Sequence, residues 1–181
     1  PWHLLIEARK RFESDLPVER PLTEPDIALH LPGKYLILIE AKFTSKNTHY
    51  KSGPRANDSS LTKDELVAIY QDSNLNIVNV KAAEKAERVF YQLWRNTVFA
   101  EWMSQLDHPN TLAFHVNLVM EGQDEDSAFE FRRLVNEQYQ GQFQRMTWEQ
   151  IYRNIQDDYG MSRLRRYLET KTAGLKPAFL I

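Results

Sequence analysis

Two acidic residues and a lysine stand at the ends of two β-rich segments. Asp26 follows Pro25 at the start of the first segment, and Glu40 and Lys42 end the second segment after thirteen intervening residues. Residues two apart in a strand point to the same face, so Glu40 and Lys42 share one face. Placing a carboxylate and an ammonium at the end of an apolar strand is costly unless they are paired or bind a ligand. These three residues are therefore the first candidates for chemistry.

The length of the turn between the segments decides whether Asp26 joins the other two. The turn contains Pro32, Gly33 and Lys34, a sequence typical of a tight hairpin. A three-residue loop places Asp26 opposite Glu40, whereas a two-residue loop places it opposite Ile39 and sends Glu40 to the other face. A shared site thus requires an odd loop length or a bulge.

An opposed pair of carboxylates predicts a site for a hard metal ion. Like charges directly opposite across strands repel each other, and such pairs persist where a cation bridges them. Oxygen ligands select Mg²⁺, Mn²⁺ or Ca²⁺ rather than zinc. A nearby lysine can orient a metal-bound water or help to deprotonate it, while the metal offsets charge on a phosphoryl centre. The competing interpretation is a surface ion pair on a hairpin, with Asp26 as a turn residue after proline.

The first half of the chain supplies the hairpin and its flanking helices. An amphipathic helix is predicted over residues 2–15, and the hairpin covers residues 26–43. Residues 44–60 are polar and are predicted to form a mobile loop, because long loops without structure of their own are usually functional or mobile. A short helix is predicted from about residue 60 to residue 70.

The second half predicts a buried helix followed by alternating strands and helices. Apolar residues spread around more than one face of residues 81–106, which is typical of a buried helix. Residues 111–120 alternate as a strand does. The remaining predictions are a helix over residues 127–136, a short strand over 143–147, and helices over 148–156 and 161–172. The whole chain, residues 1–181, is predicted to form one mixed α/β domain with a helical extension over 148–181.

The hairpin residues resemble a known motif. Pro25 and Asp26, followed after thirteen residues by Glu40, Ala41 and Lys42, resemble the motif of the PD-(D/E)XK superfamily, the restriction-endonuclease-like nucleases. Three downstream segments, residues 91–96, 114–116 and 148–151, resemble one branch of it, a family of restriction endonucleases with a Gln-Leu-Trp-Arg helix. The resemblance spans roughly residues 26–167.

The resemblance implies a fold, an activity and a set of site residues. The fold is a restriction-endonuclease-like core of the α-β-β-β-α-β type, with a central mixed sheet flanked by helices. Asp26, Glu40 and the carbonyl of Ala41 would bind Mg²⁺, or alternatively Mn²⁺. Lys42 would act on the attacking water, and Gln92 would approach the site from the helix. The implied activity is hydrolysis of DNA phosphodiester bonds by an endonuclease of the restriction or repair type, with DNA as the partner.

Two other functions compete with this one. The first is a catalytically inactive module that binds nucleic acid or protein on the same fold, although an inactive copy usually loses one of the three motif residues. The second is a metal-dependent hydrolase of small phosphates, which the long basic segment disfavours. That segment and its continuation supply cations that either contact phosphates or are simply solvated: Lys46, Lys51, Arg55 and Lys63. A second basic cluster is more typical of a solvated helix face: Arg163, Arg165 and Arg166.

Several further polar residues have two interpretations each. Glu7 could add an acid to the site, but a pair with Arg11 one turn later on the predicted helix is favoured, and Glu19 has no better case. Gln92 and Arg95 could instead be satisfied by backbone or acidic neighbours. Two histidines, His108 and His115, lack a second histidine at ligand spacing, which favours a cap residue and a strand residue.

Composition excludes several other classes of protein. Hydrophobic residues make up 42% and charged residues 27%, values typical of a globular domain rather than a disordered chain. Without cysteine, the chain cannot form disulfide scaffolds, thiolate zinc sites or a cysteine nucleophile. The longest apolar run, residues 35–39, falls short of the ~20 residues that span a bilayer. We expect a cytoplasmic protein without membrane contact, with a homodimer left open. A net charge of −2 means that contacts with DNA must be local.

Overall fold

A mixed four-stranded sheet forms the centre of the part of the chain that the computed structural model describes. That part comprises residues 3, 6, 25–42, 50–51, 62–65, 67–68, 75–108, 110–123, 125–155 and 159–166. The strands are β1 (Ile27–Leu31), β2 (Tyr35–Ala41), β3 (Tyr50–Lys51), β4 (Arg88–Val89), β5 (Leu112–Val119) and β6 (Phe143–Thr147). The helices are α1 (Val80–Lys85), α2 (Tyr91–Asp107), α3 (Glu125–Leu134) and α4 (Trp148–Ile155), with 3₁₀ turns at Glu137–Gln142 and Tyr159–Met161.

The main sheet has the strand order β1-β2-β5-β6. β1 is antiparallel to β2, whereas β2, β5 and β6 run parallel to one another. Parallel neighbours need a crossover connection, and the connections from β2 to β5 and from β5 to β6 contain α2 and α3 respectively. This mixed sheet with helices is compatible with a restriction-endonuclease-like core, so the predicted fold class is confirmed.

The hairpin turn has three residues. Leu31 pairs with Tyr35 across β1 and β2, and Gly33 between them has a φ of 68°, a conformation that glycine adopts without strain. Counting the same register outward places Asp26 opposite Glu40. Of the two registers that the sequence left open, the chain adopts the one that puts both acidic residues in the same row.

Helix α2 packs across the inner face of the sheet. Leu36 and Leu38 of β2 are fully buried, and α2 contributes two fully buried tryptophans, Trp94 and Trp102. Burying each large apolar side chain stabilises the fold by about 1.5–3 kcal/mol, so this layer is the main core of the described part. Burial around most of its circumference agrees with the prediction that the longest helix is an interior one.

The prediction of a single helix over residues 81–106 is wrong, because the chain breaks between α1 and α2. The buried ammonium of Lys63 donates to the carbonyls of Glu84 and Ala86 at the end of α1. In a continuous helix those carbonyls would accept from N–H groups four residues later. The chain instead becomes extended as β4 and starts a new helix after Phe90. Lys63 is therefore a helix-capping residue and does not belong to a phosphate-binding set.

The predicted loop over residues 44–60 contains a strand. Its described residues, Tyr50 and Lys51, pair antiparallel with Val89 and Arg88 as a two-stranded sheet. A two-residue strand leaves no alternation in the sequence, which is why a polar composition alone suggested a loop. The remainder of this segment, including Lys46 and Arg55, lies outside the described residues.

The other predicted elements agree with the structure to within two residues at most ends. Strand 111–120 appears as β5, helix 127–136 as α3, strand 143–147 as β6 and helix 148–156 as α4. The short helix near residue 60 is helical at residues 63–65 and 67–68 and begins at a capping box between Thr62 and Glu65. Residues 3 and 6 are helical, and so are residues 162–166 of the last predicted helix. Glu7, Arg11 and Glu19 lie outside the described residues.

Candidate nuclease site

The carboxylate of Glu40 is buried where β2 meets helix α2, with 3% of the residue exposed. Its Oε1 lies 2.6 Å from the ammonium of Lys42 and 3.5 Å from the amide nitrogen of Gln92. Its Oε2 accepts a hydrogen bond of 3.1 Å from the amide of Asn96. Both carboxylate oxygens thus have protein donors, which offsets the cost of burying the charge.

The periodicities of the strand and the helix explain this arrangement. Leu36, Leu38 and Glu40 alternate along β2 and all face α2, so the carboxylate ends an apolar row. Gln92 and Asn96 lie four residues apart, about one turn of helix, and so extend from the same face of α2 toward that carboxylate. The structure therefore places Gln92 beside Glu40, at the edge of hydrogen-bonding distance.

Asp26 is tied to the same strand end by a different bond. Its Oδ2 accepts a 2.7 Å hydrogen bond from the backbone N–H of Ala41, and its side chain is exposed, unlike that of Glu40. The N–H of the next residue, Lys42, donates to the carbonyl of Leu118 in β5. Asp26, Glu40 and Lys42 thus converge on the carboxyl end of β2.

A polar row runs across the sheet at the level of Glu40. In register, Glu40 lies beside Asn117 of β5, and Asn117 lies beside Arg145 of β6. Asn117 is fully buried, and a terminal nitrogen of Arg145 donates to the carbonyl of Gln123 at 2.8 Å. Strand neighbours in register face the same side, so this row continues the site across three strands.

Sequence reasoning missed Asn96, Asn117 and Arg145 as neighbours of the site. Asn96 had a usable pattern, because it follows Gln92 by one helical turn in a buried helix. Asn117 is a polar residue among the apolar positions of β5, which is the pattern that first identified Glu40. Arg145 carries no pattern of its own, because its position depends on the pairing of β5 with β6.

The donor set at this strand end suits a hard divalent cation. It offers the carboxylates of Asp26 and Glu40 and the backbone carbonyl of Ala41, all oxygen donors. Within the ranges that the structure describes, no three His, Cys, Asp or Glu side chains cluster closely enough to hold a metal ion by themselves. Mg²⁺ does not require such a cluster, because it keeps several waters and is usually held by one or two carboxylates. The residues therefore fit Mg²⁺ better than a metal that needs a full protein cage.

The two histidines have structural environments. His115 is fully buried in β5, where burial first and the charge of Arg95 second lower its pKa to about 3, so the ring is neutral at pH 7. Its Nδ1 lies 2.9 Å from the hydroxyl of Thr97 on α2. His108 is the C-cap residue that follows α2, and its Nδ1 accepts from the N–H of Asn110. These environments match the cap and strand interpretations.

A second carboxylate cluster fastens the opposite end of the hairpin. Asp107, the last residue of α2, lies 3.0 Å from His30 Nε2 and accepts from the N–H of Gly33 and the hydroxyl of Thr111. The hydrogen bond with His30, followed by that from Gly33, lowers the pKa of Asp107 to about 2. This cluster holds the hairpin turn against the end of α2.

The basic residues near the carboxyl terminus are exposed. Residues 162–166 are helical and include three exposed arginines: Arg163, Arg165 and Arg166. Their exposure agrees with the interpretation as a solvated helix face. Among the described helices, none is both long and apolar enough to cross a membrane.

A family model described as REase-ARP, Restriction Endonuclease associating with ARP, matches residues 10–171. The chain belongs to this family. The match includes every element of the main sheet and all site residues named above, so membership of a restriction-endonuclease-like family is confirmed for the whole described core. Membership in REase-ARP indicates a nuclease-like role. No curated protein and no solved structure matches this REase-ARP chain.

Proposed function

We propose that this protein is a metal-dependent nuclease that hydrolyses DNA phosphodiester bonds. Asp26, Glu40 and the carbonyl of Ala41 would hold Mg²⁺, or Mn²⁺, at the carboxyl end of β2. The bound cation would supply charge neutralisation at the phosphate and a more acidic water. The nuclease-like role of the family supports DNA as the substrate.

One observation carries the proposal: a buried carboxylate at the end of a central strand lies in contact with a lysine ammonium two residues later. Glu40 and Lys42 are 2.6 Å apart, with 4% and 11% of their side chains exposed. A buried pair is weak evidence for stability, because removing two charges from water costs about as much as their attraction returns. Such a pair at a strand end, beside a second acidic residue in register, is better explained by a role in the proposed reaction than by a contribution to stability.

The chain's own residues divide the work between them. The Lys42 ammonium has three donors and uses one on Glu40, so the others can orient the attacking water and contact a phosphate oxygen. Asp26 stays exposed, where it can meet a cation that arrives with the substrate, while its bond to the Ala41 N–H fixes its position. Gln92 lies at the edge of hydrogen-bonding distance from Glu40, where it can contact the site from the helix.

A cleavage assay tests the proposal. Supercoiled plasmid and linear duplex DNA are incubated with the protein in Mg²⁺ or in EDTA. We expect nicking or linearisation in Mg²⁺ and none in EDTA. Lys42→Ala should slow cleavage by about 10²–10⁴-fold, the range for removing a group that assists proton transfer. The matched control is Lys34→Ala, which removes an exposed lysine from the turn of the same hairpin and should leave the rate unchanged.

Two results would contradict the proposal. Full activity of Lys42→Ala would remove the lysine from the mechanism. Binding to DNA without cleavage in Mg²⁺ or Mn²⁺ would favour the inactive binding module on the same fold.

A further inference from the structure

We infer that Asn96 is a positioning residue that fixes the orientation of the Glu40 carboxylate; this inference rests on the proposed metal-dependent function. Asn96 is 1% exposed and Glu40 is 3% exposed, and their hydrogen bond spans 3.1 Å from Nδ2 to Oε2. A hydrogen bond to a charged acceptor in a dry environment is stronger than one to a neutral group in water. Of the two amides that contact Glu40, Asn96 makes the shorter hydrogen bond, 3.1 Å against 3.5 Å for Gln92.

The neighbours of Asn96 leave its amide only one satisfactory orientation. A carboxylate only accepts hydrogen bonds, so the NH₂ group must face Glu40. The guanidinium of Arg95 only donates, and its Nε lies 3.4 Å from Asn96 Oδ1. Turning the amide over would place oxygen against oxygen on one side and nitrogen against nitrogen on the other. The amide is thus oriented by both of its contacts.

Asn96 and Gln92 act on different oxygens of Glu40. Gln92 lies 3.5 Å from Oε1, beyond the usual 2.7–3.2 Å, and it shares that oxygen with Lys42. Asn96 contacts Oε2, from a helix that is itself buried against the sheet. Rotating the carboxylate would break this bond, so α2 determines the plane in which Glu40 presents its oxygens. Removing a partner that orients a metal ligand typically lowers metal affinity or activity by about 10–100-fold.

The first measurement is metal affinity without DNA. Mn²⁺ and Ca²⁺ are titrated calorimetrically into the wild type, Asn96→Leu and Glu40→Gln. Asn96→Leu keeps the γ-branched shape of the side chain but removes the donor, and we expect about 10–100-fold weaker binding. The matched control is Thr97→Val, the next residue on α2, which is also buried and loses the hydroxyl contacts to the Leu93 carbonyl and to His115 Nδ1. It should lose thermal stability but keep the wild-type affinity.

The second measurement separates positioning from a purely structural role. In the cleavage assay, Asn96→Leu should need a higher Mg²⁺ concentration and should recover most of its rate at saturation. Lys42→Ala should not recover at any Mg²⁺ concentration. A loss of rate in Asn96→Leu that Mg²⁺ does not restore would overturn the positioning role.

The outcomes distinguish this inference from the function on which it rests. If the wild type binds Mn²⁺ and Glu40→Gln does not, while Asn96→Leu binds like the wild type, the role of Asn96 is wrong and the proposed metal site stands. If the wild type binds neither cation, the proposed function fails as well. Should Asn96→Leu not fold, the wild type still provides the test: the NMR resonances of the Asn96 side-chain amide should shift on Ca²⁺ addition, with the midpoint that calorimetry gives for Ca²⁺. Amide resonances that do not shift when the cation is added would overturn the inference.

Discussion

Removing Lys42 should destabilise the metal-free protein, because Glu40 would then keep a buried charge without its cation. The ammonium and the carboxylate are 2.6 Å apart, and 11% and 4% of their side chains are exposed. Breaking a buried pair from one side costs about 3–5 kcal/mol. The amides of Asn96 and Gln92 still donate to Glu40, so we expect Lys42→Met to lower the free energy of unfolding by about 2–3 kcal/mol.

A double-mutant cycle isolates the interaction between the two side chains. Glu40→Gln removes the other charge, and the combined variant leaves a neutral amide beside methionine, so its cost should be smaller than the sum of the single costs. We expect a coupling free energy of about 1–3 kcal/mol, the range for directly contacting residues. The measurement is urea unfolding of the wild type, both single variants and the double variant at pH 7 in EDTA.

An exposed ion pair of the same chain provides the control for this cycle. Arg153 and Glu121 lie 3.0 Å apart, but 60% and 53% of their side chains are exposed. Solvent screening limits such a pair to about 0.2–1 kcal/mol. If the Glu40 and Lys42 substitutions proved additive, or no more coupled than the exposed pair, the reasoning that treats this pair as desolvated would be refuted.

Two other predictions concern the Asp107 cluster, which holds the hairpin turn against α2, and the contacts of the basic residues with DNA. Asp107→Asn should lower the free energy of unfolding by about 1–2 kcal/mol at pH 7, since the pKa of this carboxyl falls from 3.8 to about 2 on folding and one pKa unit corresponds to about 1.4 kcal/mol before solvent screening. A lowered pKa stabilises the fold above pH 3.8, so the difference from wild type should disappear between about pH 4 and pH 2 in acid-unfolding curves. In DNA-binding assays with Ca²⁺, the triple variant Lys46→Ala/Lys51→Ala/Arg55→Ala should lose three phosphate contacts and flatten the slope of log affinity against log salt concentration by about 2.7. An unchanged slope would mean that these three residues are only solvated. The DNA contacts would then be sought at the arginines of residues 163–166.

The part of the site that depends on local periodicity could be predicted from the sequence. Alternation along β2 placed Glu40 and Lys42 on one face without reference to any other strand. Placing Asp26 in the same site also required the length of the hairpin turn. The sequence allowed either a two-residue or a three-residue turn, and these give different strand registers. Gly33 at positive φ belongs to the three-residue turn that the structure shows.

What the sequence could not provide were contacts between distant segments. The break between α1 and α2 depends on Lys63, which reaches carbonyls 21 and 23 residues later. Helix propensity does not detect that competition, because a lysine is unremarkable in either setting. The contact between Asn96 and Glu40 has the same origin, since it exists only after α2 has docked on the sheet.

The sequence separation between the site residues affects when, during translation, the site can form. The bond from Asp26 to Ala41 spans 15 residues, but the bond from Asn96 to Glu40 spans 56 residues. The parallel neighbour of β2 is β5, which begins only at Leu112. Domains fold as units during synthesis, and distant pairings wait until their partners are available. A chain still on the ribosome therefore carries Asp26 and Glu40 as hydrated carboxylates long before the helix amide and the neighbouring strand can organise them. The proposed nuclease site would then stay inactive until translation of the core is complete.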